Sequence, residues 1–172
     1  MNGIWEETKR SGFFEGLYSY KAYKPFAKAS EREAWEGLNP NYKEALVKEA
    51  EKYRGFEWQG IRASELLAYI RNGERRGTDK INGKRKALLS LTLAECAVYD
   101  GTFIDDITDG LWSICEETTW AAAAHIDTCG GTFDGLPRTE EEILDLVACE
   151  TAQLAAFVYY MLYEKLSEQS VV

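Results

Sequence analysis

The sequence predicts an all-α protein assembled from antiparallel helical hairpins. Apolar residues recur three and four positions apart in one segment after another, and no stretch of any length alternates apolar with polar as a strand would. Short connections carrying Gly, Asn, Asp or Pro separate these segments, and turns that short return a chain antiparallel to itself. At 172 residues the chain is long enough to bury a sizeable core.

Residues 1–38 are expected to form an aromatic-rich arm with one short helix, and residues 39–172 the helical domain. Trp5, Phe13, Phe14, Tyr18, Tyr20, Tyr23 and Phe26 follow no clean period, and so many rings are expected to pack over the helical body. Ser30-Glu-Arg-Glu33 has capping-box spacing and opens a helix to about Gly37. Asn39-Pro40 starts the next, with proline in the first turn, where its missing N–H costs nothing. That helix passes through Tyr42, Ala45, Leu46, Glu49 and Tyr53 and stops at Gly55. Ile61 to Arg71 forms the third, with Ile61, Leu66, Leu67 and Ile70 on one face and Asn72-Gly73 ending it.

The fourth helix begins after Thr78-Asp79, carries Leu88, Leu91, Ala94, Cys96 and Val98, and closes at Asp100-Gly101; Gly83 blurs its start. The fifth carries Ile104, Ile107, Leu111, Ile114 and Cys115. Asp105, Asp106 and Asp109 cluster towards its N-terminus, where the helix dipole favours negative charge. Cys129 to Pro137 reads as a loop. Thr139-Glu-Glu-Glu142 has capping-box spacing and opens the last and longest helix, which includes Ile143, Leu144, Val147, Thr151, Leu154, Val158, Met161, Leu162 and Leu166.

A formal charge of −9 argues against nucleic acid or an anionic membrane as a partner. The dense basic runs, Arg71 to Arg76 and Lys80 to Lys86, can serve an acidic ligand locally. Four cysteines show no C-x-x-C spacing, and Cys96, Cys115 and Cys149 sit in apolar helical patterns as small buried hydrophobes. With a single histidine, no structural metal site is expected. No phosphate loop or dinucleotide fingerprint occurs, so no cofactor is expected. No apolar run approaches the ~20 residues of a membrane span, and the N-terminus, with Glu6 and Glu7, lacks a signal-peptide core. The expected location is cytoplasmic.

The chemistry concentrates in Leu111–Asp127, which holds the single histidine, two of five tryptophans, an acidic pair and four alanines. Trp112 lies near the apolar stripe of its helix and reads as core. Trp120 follows the polar break Glu-Glu-Thr-Thr, where an indole can either pack or stack on a sugar face. Glu116 and Glu117 end a helix, where the dipole disfavours them, and read as a solvated end. The functional alternative has Glu117 accepting hydrogen bonds from ligand hydroxyls or orienting His125. His125 is the side chain suited to proton transfer near neutral pH, and Asp127 stands close to it in sequence. A structural role for His125 remains open beside the catalytic one.

Several segments, taken as an ordered series over about residues 60–166, resemble the N-terminal region of heparinase II/III-like proteins. They are Asn72-Gly-Glu-Arg75, Lys84 to Glu95, Phe103-x-x-x-Ile107, Gly110-Leu-Trp-Ser-Ile-Cys-Glu-Glu-Thr-Thr-Trp120 with Ala124-His125, and Asp145-Leu-x-Ala-x-Glu-Thr-Ala152. Where that family usually has proline before the alanine-histidine pair, Ala123 stands here. The resemblance implies part of an α/α toroid, incomplete at about three hairpins, which in the family precedes a β-sandwich. It implies a polysaccharide lyase that cleaves uronate-containing chains by β-elimination, with the family's catalytic asparagine, histidine and tyrosine positions beyond Val172.

The expected site then comprises His125 as the catalytic group, with Trp120, Glu117, Asp127 and Arg75 binding substrate. The expected partner is an acidic polysaccharide or oligosaccharide. Open toroid edges would expose apolar helix faces and drive self-association. A non-catalytic helical domain that binds sugars or a protein is the main alternative. A glycoside hydrolase using Asp105/Asp106 and Glu116/Glu117 is a weaker one, because adjacent residues point to different faces of a helix.

Overall fold

The computed structural model of the protein describes residues 3–12, 15, 23–128, 135–138 and 143–167. Among them the ordered structure is helical and no strand occurs: α1 Gly3–Arg10, α2 Arg32–Glu36, α3 Pro40–Ala50, α4 Ala63–Asn72, α5 Arg76–Val98, α6 Ile104–Cys115, α7 Ala123–Thr128 and α8 Leu146–Ser167, with a 3-10 turn at Glu51–Tyr53. The all-α class is as the apolar spacing predicts.

Local signals explain most helix ends. Asn39 caps α3 by accepting the Asn41 N–H at 2.9 Å, with Pro40 in the first turn. Gly73 ends α4 in the left-handed region at φ 75°, where it can donate back to the Tyr69 carbonyl without a Cβ penalty. Four helix starts differ from the sequence reading: α4 begins at Ala63 and not Ile61, α5 begins at Arg76, ahead of Thr78-Asp79, and the other two are α2 and α8. The helix expected from Ser30 begins at Arg32, and Glu31, one residue later than the predicted cap, makes no side-chain cap and instead accepts the Lys28 N–H. The last helix begins at Leu146, with Ile143 to Asp145 non-helical, because the Asp145 carboxylate accepts the Ala148 N–H at 2.7 Å and caps it there. Thr139–Glu142 lie outside the described residues.

The long helix α5 is the axis of the fold. It packs against α3, α4, α6 and α8, and its length from Ile81 to Ala97 is dominated by buried residues. Leu88, Leu91 and Cys96 join Ile104, Ile107 and Ile114 of α6 and Val158, Leu162 and Leu166 of α8 in one core. The segment before α3 belongs to this packing. Ala29 is fully buried, and Arg32 donates to the carbonyls of Cys96 and Ala97 at 2.7 and 3.0 Å, satisfying acceptors that the end of α5 leaves open. At the same end of α5, buried Glu95 accepts the N–H groups of Gly101 and Phe103 and anchors the start of α6.

The helix α8 is long and apolar enough, by length and composition, to cross a membrane, contrary to the expectation that no run approaches that length. One face of it enters the core. Leu162 departs from helical geometry at φ −110°, ψ 15°. The cause is adjacent: the Ala29 N–H donates to the Met161 carbonyl at 2.8 Å, taking an acceptor from the helical ladder.

Candidate functional site

A strap of chain, Phe56 to Ala63, lies along the outer face of α6 and leaves a groove of about 710 Å³ between them. Three contacts fasten the strap. The Gly55 N–H donates to Asp106 at 3.0 Å, Ser113 Oγ donates to the Trp58 carbonyl at 3.2 Å, and the Trp58 ring rests on Gly110. Glycine is required at that contact: a Cβ on residue 110 would stand 2.6 Å from Trp58 Cη2. Phe56 meets Trp58 edge-on with centroids 4.9 Å apart.

Across the groove, α6 presents Asp109, Trp112, Ser113 and Glu116, and Thr118, Thr119, Leu136 and Pro137 close one end. Trp112 is 63% exposed. This corrects its reading as a core residue. Positions 105, 109 and 112, continued by Glu116 at the helix end, recur three and four apart and form the outer stripe of α6, one or two residues beyond the buried Ile104, Ile107, Leu111 and Ile114. The company of three acidic residues on that stripe was the signal available in the sequence.

Trp120 has the opposite fate. It is half-buried against the core, and its indole N–H donates to the Ile114 carbonyl at 2.8 Å, closing the end of α6. It also lines a second groove of about 720 Å³ that adjoins the first at Glu117, Thr118, Thr119 and Pro137. Cys115 and Cys149 line this second groove and are exposed, so the expectation of burial holds for Cys96 alone of the three. Burial, and then the charge of Glu95, push the Cys96 thiol up to about 12.

Glu117 is not a solvated helix end. Its side chain is 2% accessible and receives Arg85 through Nη1 at 2.8 Å and Nη2 at 2.5 Å. Lys84, itself 1% accessible, brings Nζ to 2.8 Å of Glu117 Oε1, an ion pair off the hydrogen-bonding line. Arg85 Nε donates to Thr151 Oγ1 at 3.1 Å, so the cluster ties α5, the end of α6 and α8 together. Two cations sharing one buried carboxylate explain why Lys84, part of the basic run expected to serve an acidic ligand, is inside the protein.

His125 lies on the short helix α7, behind an alanine run whose Ala121, Ala122 and Ala123 are buried. Small side chains there let α7 pack against α4. Its Nδ1 is 2.6 Å from Asp145 Oδ2. Asp145, 20 positions further along the chain, is thus the carboxylate that orients His125, in place of Glu117. Burial raises the Asp145 pKa. The Ala148 and Ala122 N–H groups and then His125 outweigh it and hold the carboxyl below the usual range. The side chain of Asp127 lies outside the described residues.

Glu117 and Trp120 therefore line a common groove, whereas His125 is outside the lining of both grooves and Arg75 stands exposed at the start of α5. Neither a protein-family model nor a curated protein matches this chain.

Proposed function

We propose that this chain is the glycan-binding part of an α/α toroid of polysaccharide-lyase type, resembling the heparinase II/III-like region and not catalytically complete over these residues. The observation that carries the reading is the first groove. It combines Phe56, Trp58 and the exposed Trp112 with the hydroxyls of Ser113, Thr118 and Thr119. Sugar rings offer C–H faces to aromatic rings and hydroxyls to short polar side chains, the mixture that ligand grooves of this kind supply. The succession of helices packed around α5 supports the hairpin architecture.

An acidic polysaccharide would find its cations at the turn between α4 and α5, where Arg71 and Arg75 are exposed, since Lys84 and Arg85 are committed to Glu117. β-Elimination needs a base for the proton α to a uronate carboxylate, and His125, oriented by Asp145, is the candidate. Its position outside the groove lining favours a second reading, a non-catalytic sugar- or protein-binding domain.

Incubation with uronate polysaccharides, followed by the absorbance of the unsaturated product and by calorimetry, tests both. Product that disappears in His125→Ala supports the lyase. Binding without product, unchanged in His125→Ala, leaves the binding domain. Absence of binding to any polysaccharide overturns the lyase and the sugar-binding domain and leaves only a protein partner.

A further inference from the structure

We infer that the groove between the Phe56–Ala63 strap and α6 selects a sugar bearing a protonated amine. The inference rests on the glycan-binding reading above and names the ligand of that same groove. Its charged lining residues are Asp109, Glu116 and Glu117, and no Lys or Arg lines it among the described residues. Glu117 is neutralised by Lys84 and Arg85, so the charge facing a ligand comes from the exposed Asp109 and Glu116. Lys80, which reaches the Gly60 carbonyl on the strap, is held by Glu65 at 2.8 and 3.0 Å.

Carboxylates beside aromatic faces favour a cation twice over. The ammonium pairs with the carboxylate, and the negative π-faces of Trp58 and Trp112 attract the same charge. Asp109 and Glu116 stand seven residues apart on one helix face, about 10 Å along the axis, so the groove addresses more than one ring of an oligosaccharide. A uronate would meet like charge at both positions, so of a chain that mixes amino sugar with uronate this groove takes the amino-sugar rings.

The test titrates the whole chain with four probes at a pH where the amine is protonated: a fully deacetylated glucosamine tetramer, its N-acetylated counterpart, a uronate tetramer and tetralysine. The deacetylated tetramer is expected to bind tightest and to weaken with salt. Trp112→Ala is expected to weaken it about five- to tenfold. Asp109→Asn and Glu116→Gln are expected to weaken it about two- to fivefold each, the range of exposed charge pairs. All three residues are exposed, and unchanged circular dichroism confirms that the variants fold. Equal or tighter binding of the acetylated or uronate tetramer overturns the inference while leaving the glycan reading. Equal binding of tetralysine shows that charge alone is read and overturns it too, as does an unaffected Trp112→Ala. Binding of no sugar overturns both the inference and the reading beneath it.

Discussion

The guanidinium of Arg85 grips both carboxylate oxygens of Glu117, at 2.8 and 2.5 Å, in a place where the Glu117 side chain is 2% accessible. Lys84 approaches the same carboxylate from deeper inside. The arrangement is more costly to break than to lack, because removing the anion strands two cations in low dielectric. Glu117→Gln is therefore expected to destabilise the fold by about 3–5 kcal/mol in urea denaturation. A loss below about 1 kcal/mol would mean that water reaches the pair and screens it.

Trp58 depends on the absence of a side chain at Gly110. A methyl group there would stand 2.6–2.7 Å from two ring carbons, so the indole must leave its seat. Gly110→Ala is expected to cost about 1–3 kcal/mol as an overpacked contact. The same change in a Trp58→Ala background is expected to be nearly neutral, and a double-mutant cycle measures the difference. Equal costs in the two backgrounds would detach Trp58 from Gly110.

Asp145 links three parts of the site by accepting the N–H groups of Ala122 and Ala148 and contacting His125. Its folded pKa lies below the ordinary value of 3.8, so the carboxylate favours the native state at all pH above that value. The contribution is lost as pH falls from about 4 through the depressed folded value. Asp145→Asn is expected to lower stability at neutral pH and to flatten the fall in stability below pH 4. Parallel pH profiles for the two proteins would contradict this.

Leu144 and Leu146 are 79% and 72% exposed at the start of α8, and Tyr159 and Tyr163 remain exposed further along it. Apolar surface on this scale is expected to drive self-association, seen in light scattering as a mass that rises with concentration. Leu146→Lys with Tyr163→Lys is expected to restore a single-chain mass. A concentration-independent single-chain mass for the unaltered protein would remove this surface from consideration.

Local signals were legible wherever a residue acts on its own neighbours. The Asn39-Pro40 start, the Gly73 stop and the apolar stripe of α6 all work within one helical turn, and each stands where the sequence places it. The start of α8 was not legible in this way. The capping-box spacing at Thr139 predicts a start there, whereas α8 starts at Leu146, capped by Asp145, whose carboxylate also binds Ala122 and His125. Tertiary contacts outweigh a local preference worth about 1 kcal/mol.

The two tryptophans divide these cases most clearly. Periodicity establishes that residues 104–115 form an amphipathic helix, and hence that Trp112 stands one position off its buried stripe. That Trp112 faces a groove depends on the Phe56–Ala63 strap, brought across α6 from about fifty residues away by Asp106, Gly110 and Ser113. Trp120 and Lys84 go inward for the same reason. Their partners, the Ile114 carbonyl and Glu117, are supplied by folding, and a polar or charged group is buried where a partner awaits it. Helix class and helix faces are properties of near neighbours along the chain. Which face becomes a site depends on what the rest of the chain lays against it.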